Sequence, residues 1–219
     1  MNTKGAVIFD IIGTCFSLDK PRQRLVELGA PPHALELWFA QTLRDAFALS
    51  HAGSYLPLEE VLEAELPRTL KVLGIEAEVQ MRSHIVKAFS ELEPQPEALE
   101  AFRLLTTAGW KLVALTNGSE DSTHKLLERA NVLEYFASIF SCDAGRRSRT
   151  RMSTPWRSKR SRAMSGWLLL MPGILQVPPA LGKRTAFINK EEKDYLGVYP
   201  QPEIIASDLV EAASQIVEG

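Results

Sequence analysis

Apolar and polar residues change their spacing along this chain, and each change predicts a different kind of element. Ala6-Val7-Ile8-Phe9 is a short unbroken apolar run that ends on Asp10 and is followed by Gly13-Thr14. A run of this kind, closed by a polar residue and a turn signal, predicts a strand buried on both faces, as in a parallel sheet. From residue 20 to about 92 the spacing becomes helical: Leu35, Leu37, Trp38, Leu43, Phe47 and Leu49 recur at roughly helical intervals after Pro31-Pro32. Leu58–Leu73 and Val79–Leu92 follow the same pattern. Beyond them, helix and strand patterns alternate. Pro96–Thr107 predicts a helix, and Lys111–Thr116 a strand that ends in Asn117-Gly118-Ser119. Asp121–Ala130 predicts a helix, and Ala137–Ser141 a strand that ends in Cys142-Asp143. Thr185–Ile188 and Glu203–Ala206 read as strands, and Ser207 or Asp208 can cap a last helix over 208–217. Such alternation implies a parallel α/β sheet, with a helical block inserted after its first strand.

Composition narrows the class. The chain has 219 residues, 45% hydrophobic and 24% charged, which suits one medium domain or a core with a smaller insert. A chain of this length buries most of its apolar surface without covalent staples. Cys15 and Cys142 lie far apart and form no CxxC, so both are expected as reduced, buried thiols. No run of 18 apolar residues occurs and Met1–Asp10 lacks a signal-peptide pattern, so a cytoplasmic protein is expected. His33, His51, His84 and His124 show no metal-ligand spacing, and no metal is expected.

Charge is the uneven feature. Arg146–Arg162 holds eight Arg or Lys, and no Asp or Glu occurs from Ala144 to Lys190. The other 17 basic residues face 27 acidic ones, a balance of −10, so an acidic protein carries one basic insert. An Arg-rich run of this kind can neutralise phosphates, which keeps nucleic-acid binding through 146–162 as a remote alternative. Against it, the run has Trp156 as its sole aromatic residue and the rest of the chain is acidic.

In parallel α/β sheets, ligands bind beyond the carboxyl ends of the strands. Three polar strand ends are candidates: Asp10, Thr116-Asn117 and Cys142-Asp143. Each alone is an ordinary loop signal. In this order they resemble the haloacid dehalogenase superfamily. Val7-Ile8-Phe9-Asp10-Ile11-Ile12-Gly13-Thr14 is similar to its first motif, hhhDxxGT, and Val113-Ala114-Leu115-Thr116-Asn117 to its second, hhh(S/T)N. The resemblance covers 1–143 and 183–219. It implies a Rossmann-like, three-layer α/β core with a parallel sheet, formed by 1–16 and 94–219, and an inserted α-helical cap, 17–93. It further implies covalent catalysis, in which the Asp10 carboxylate attacks an electrophilic carbon or phosphorus and water hydrolyses the ester. Thr14 would orient Asp10, and Thr116 and Asn117 would hold the anionic group or the leaving group. Ile11, Ile12 and Gly118 would contact substrate from the same motifs, Trp38 and Phe39 would wall the pocket, and Arg44 is a candidate for a substrate carboxylate. A homodimer is a further implication.

Ile12 decides the branch. Phosphatases of this superfamily carry a second Asp there as general acid/base, and isoleucine transfers no proton. A halide leaves without protonation, whereas an alkoxide needs it. The residue therefore favours the 2-haloacid dehalogenase branch and a small anionic substrate, with no cofactor. A phosphatase with an altered acid/base residue, which would use magnesium, remains the alternative.

The superfamily also requires a Lys, usually in Lys-Pro, and an acidic motif, both between Asp143 and Lys183. Lys159 is the only lysine between those positions, set in Arg-Ser-Lys-Arg-Ser, and no acidic residue is present. A shifted reading frame explains this. Pairing the third base of each codon with the first two of the next lets Trp167–Gly182 encode AAAHAWDIAGAARAG, which resembles the acidic motif. The same shift lets Arg147–Ser158 encode KPHADVYALAE, which resembles the Lys-Pro motif. A compensated frameshift over about 145–182 is therefore expected, with the written chain impaired or a non-catalytic remnant. Trp167–Met171 retains enough apolar character to form a strand.

Overall fold

A computed structural model describes residues 4–141, 184–190 and 194–219, together with the backbone of 166–170. The expected basic arm and the shifted-frame motifs at 146–162 and 171–182 lie outside the described residues, as does Cys142.

The chain forms two compact units, Met1–Phe16 with Pro94–Gly219, and Ser17–Glu93. In the first, the strands are β1 (Gly5–Asp10), β4 (Trp110–Thr116), β5 (Phe136–Ser141), β6 (Gly166–Leu170), β7 (Arg184–Ile188) and β8 (Ile204–Ala206). They form one six-stranded sheet in the order β5-β4-β1-β6-β7-β8, every pair parallel. Two-residue strands, β2 (Phe16–Ser17) and β3 (Glu93–Pro94), form a separate pair. The helices of this unit are α5 (Ala98–Thr107), α6 (Glu120–Arg129) and α7 (Leu209–Glu218).

Every residue of β1 is buried, as its unbroken apolar run requires of a central parallel strand. β6 pairs with β1 and β7, so the apolar run beginning at Trp167 does take the strand position expected of it. Helix α5 buries Ala98, Ala101, Phe102 and Leu105 on one stripe, and α7 buries Leu209, Ala212, Ala213 and Ile216. The small residues let the two helices pack closely together. Asp208 caps α7, its side chain accepting a hydrogen bond from the Glu211 N–H. The connections that would carry further helices of a three-layer arrangement, 142–165 and 171–183, lie outside the described residues.

The second unit holds α1 (Asp19–Glu27), α2 (Ala34–His51), α3 (Leu58–Val72) and α4 (Val79–Lys87). Its core is Leu35, Trp38, Leu62, Leu66 and Leu70. Pro67 lies inside α3 and has no N–H to return to the preceding turn, yet the helix continues. Burial of Leu62, Leu66 and Leu70 along one face outweighs the lost bond.

Aromatic packing fixes the end of β1. Phe9 meets Phe102 of α5 edge-to-face at 5.1 Å and Phe136 of β5 at 6.2 Å, and Phe102 meets Phe136 at 5.0 Å. This trio clamps the residue just before Asp10. Phe102→Ala is expected to destabilise the protein by about 3–5 kcal/mol. Urea unfolding of the two proteins measures the difference, and a loss below about 1 kcal/mol would show that the trio does not hold the sheet.

Candidate active site

Asp10 ends the strand paired on one side with β4 and on the other with β6, with Asp10 opposite Leu115. The ladder runs one step further through the Ile11 N–H, which donates to the Leu115 carbonyl at 3.1 Å. The chain then closes on itself. The Cys15 and Phe16 N–H groups both donate to the Ile11 carbonyl, at 3.1 and 2.9 Å, and the Gly13 N–H donates to the Phe16 carbonyl at 2.9 Å. Gly13 holds this loop at φ 87°, in the left-handed region where a side chain would be strained. The loop returns Thr14 over the strand end, where its hydroxyl donates to Asp10 Oδ2 at 2.8 Å. One carboxylate oxygen is thus held, and Oδ1 is the other.

The carboxyl is 1% exposed. Burial pushes its pKa up from 3.8 to about 7, and the hydrogen bonds from Thr14 and from the Ile11 backbone only partly oppose that. Cys15 is fully buried beside it; burial, then the charges of Asp10 and Glu97, push its thiol well above the ordinary value and keep it protonated. Lys190, just beyond β7, donates to Glu97 at 2.8 Å and Gln95 at 2.9 Å, and so is committed to those partners.

The second cluster follows β4. Thr116 is 1% exposed, and its Oγ1 accepts from the Gly118 N–H at 3.0 Å and from the Thr123 hydroxyl at 3.2 Å. A Cβ on Gly118 would meet Thr116 Oγ1 at 3.3 Å and Ile12 Cδ1 at 3.6 Å. That close approach explains the glycine, and it brings Ile12 of the first motif against the second. Ser119 caps α6, accepting from the Ser122 N–H at 3.0 Å. Ser141, at the end of β5, donates to the Gly118 carbonyl at 2.6 Å and pins the loop. Asn117 is half-buried within that loop.

Asp10, Ile12, Thr14, Thr116 and Gly118 therefore converge at the carboxyl edge of the sheet, and Ile11 is buried beneath them. The remaining expected residues belong to the helical unit. Trp38 is buried there; its Nε1 donates to the Leu62 carbonyl at 3.1 Å and its ring meets Phe89 edge-to-face at 5.5 Å. Phe39 stacks on Phe89 at 5.8 Å. The Arg44 guanidinium is engaged by Asp45 through two hydrogen bonds, 2.8 and 3.1 Å. Ser141 and Thr123 escaped the sequence reading. Thr123 falls one helical turn after the Ser119 cap, a spacing that returns it to the loop it follows. Ser141 carried no signal beyond its place before the expected strand end.

Residues 5–148 match the haloacid dehalogenase-like hydrolase family. The chain belongs to this family. An (S)-2-haloacid dehalogenase of Xanthobacter autotrophicus is 27% identical over 143 residues, 64% of this chain and 56% of that one. An (S)-2-haloacid dehalogenase of a Pseudomonas species (strain YL) is 27% identical over 139 residues, 63% of this chain and 60% of that one. The chain thus spans less than two thirds of the length of either relative. Among solved structures, an L-2-haloacid dehalogenase superposes with a TM-score of 0.86 over the whole of both chains at 21% identity. The L-2-haloacid dehalogenase of X. autotrophicus with chloropropionic acid covalently bound superposes with a TM-score of 0.80 over 98% of each chain at 17% identity. These likenesses establish the fold. Among the described residues no His, Cys, Asp and Glu side chains gather into a metal-binding group, and no helix is long and apolar enough to cross a membrane.

The raised Asp10 pKa has a sign that can be measured. The folded protein holds this proton up to about pH 7, whereas the unfolded chain releases it near pH 3.8. Folding stability contributed by the neutral form is fully present below the unfolded value and is lost as pH rises to about 7. Asp10→Asn removes the titration. The variant is expected to gain on wild type between pH 4 and 7 and to be more stable above that by about 4 kcal/mol, at ~1.4 kcal/mol per pKa unit. Urea unfolding at a series of pH values measures this, and parallel stability curves for the two proteins would refute it.

Proposed function

We propose that this protein hydrolyses a small 2-haloacid through an ester on Asp10. The observation that carries the reading is a buried aspartate with one oxygen held by Thr14 and an isoleucine two positions on. In the ionised form, Asp10 Oδ1 attacks C2 of the substrate. The carbon–oxygen bond forms as the carbon–halogen bond breaks, and the halide leaves with the electron pair. Water then attacks the carboxyl carbon of the ester; the 2-hydroxy acid departs and Asp10 is restored, with the surplus proton passing to solvent. Ile12 fits this route because halide departure calls for no proton. The Thr116 hydroxyl, with Asn117, would hold the anion. Arg44 would have to leave Asp45 before it could receive a substrate carboxylate. The covalently bound chloropropionate of the X. autotrophicus relative supports an ester intermediate.

The lysine and the acidic motif that the family uses are missing from the written sequence between Asp143 and Lys183, and the family match stops at residue 148, within the first residues of the basic stretch. This supports a compensated frameshift across about 145–182, which leaves a chain that keeps the nucleophile and lacks its countercharge. Loss of one partner from a buried pair costs roughly 3–5 kcal/mol.

Two measurements test the reading. Chloride release from 2-chloropropionate, and phosphate release from p-nitrophenyl phosphate with and without magnesium, are expected to favour the haloacid. Magnesium-dependent phosphatase activity above haloacid turnover would replace this reading with that of a phosphatase. A gene with the frame restored across 145–182 is expected to give at least about a hundredfold higher haloacid turnover than the written chain, the scale of about 2.7 kcal/mol in the barrier. Equal turnover by protein confirmed by mass to carry 146–182 as written would refute the frameshift account.

A further inference from the structure

The structure assigns Thr123 a role as positioning residue for Thr116: it fixes the direction in which the Thr116 hydroxyl donates. This rests on the reading that Thr116 holds the substrate's anionic group. A threonine hydroxyl donates once and accepts twice. Both acceptor positions of Thr116 Oγ1 are taken inside the protein, by the Gly118 N–H at 3.0 Å and the Thr123 hydroxyl at 3.2 Å. Its own hydrogen is the part left over, and it can be given to a ligand at the sheet edge where Asp10 ends.

Thr123 differs from Thr106 and Ser214, whose hydroxyls bond back along their own helices. Thr106 donates to the Phe102 carbonyl at 2.8 Å and Ser214 to the Val210 carbonyl at 2.9 Å, each four residues back within its own helix. The carbonyl Thr123 would use in that way is that of Ser119. It already accepts from the Thr123 N–H at 3.0 Å and from the Ser122 hydroxyl at 3.1 Å. With that carbonyl doubly occupied, the Thr123 hydroxyl turns toward Thr116. Thr123 is 3% exposed, so water does not compete for it. The result is a relay, Thr123 to Thr116 to bound anion, in which each donation polarises the next.

The test reads binding in an Asp10→Asn background, where no ester forms. Monochloroacetate is titrated calorimetrically against that protein and against the same protein carrying Thr123→Val, Thr123→Ser, Thr116→Val, or Thr116→Val with Thr123→Val. Thr123→Val is expected to weaken binding about threefold to tenfold, the scale of one neutral hydrogen bond. Thr123→Ser is expected to restore it to within about twofold. The double variant should bind no more weakly than Thr116→Val alone, because Thr123 acts through Thr116. A merely structural role would make the two losses add. Additive losses, failure of serine to restore binding, or unchanged affinity in Thr123→Val would each overturn the assignment while the functional reading stands. Absence of saturable binding to the Asp10→Asn protein itself would overturn both.

Discussion

The burial of one negative charge governs this site. Asp10 sits at the end of an interior strand with 1% of its surface exposed, and desolvation holds its carboxyl near pH 7. The surrounding loop answers that cost with local hydrogen bonding. The Gly13 turn folds the chain back, Thr14 donates to one oxygen, and the Ile11 backbone lies against the carboxyl. Two hydrogen bonds do not replace a cation, and Lys190 at the same sheet edge is committed to Glu97 and Gln95. Asp10 is therefore positioned and only partly ionised at neutral pH.

Much of this was legible in the sequence because the signals were local. An unbroken apolar run ending in Asp10 and followed by Gly13-Thr14 predicts a buried strand feeding a loop, and the family resemblance implies that Thr14 orients Asp10. β1 is that strand, and the Thr14 hydroxyl donates to Asp10 at 2.8 Å; the left-handed Gly13 turn that brings it there is seen in the structure alone. The parallel sheet followed from strand–helix alternation. What escaped depends on geometry between segments. Ser141 and Gly118 are 23 residues apart and meet because β5 and β4 are neighbours. The Thr123 bond depends on a carbonyl being saturated by two other donors, which no spacing rule encodes. Arg44, a candidate ligand for a substrate carboxylate, is bound by its neighbour Asp45, an ion pair that helical spacing alone does not reveal.

The contrast between strand and chemistry bears on the basic segment. The run beginning at Trp167 pairs with β1 and β7 at the centre of the sheet, in a region where acidic residues are missing altogether. A central parallel strand asks mainly for consecutive apolar residues. A catalytic lysine or aspartate asks for one residue type at one position. A change of coding frame can meet the first demand by chance and will seldom meet the second.

The same asymmetry orders the two halves of the site. Much of the hydrogen bonding described for the two motifs is local, within Asp10–Phe16 and within Thr116–Ser141, and the Ile11 N–H joins the first to the second through the Leu115 carbonyl. Among the described residues, backbone donors and neutral hydroxyls hold each loop. Under the proposed change of frame, loss of the family's lysine would act on protonation and reactivity while leaving the local hydrogen bonds at Asp10 and Thr116. Such a chain would keep the local geometry of both motifs and lose electrostatic stabilisation of the transition state, which in many enzymes is the larger share of catalysis.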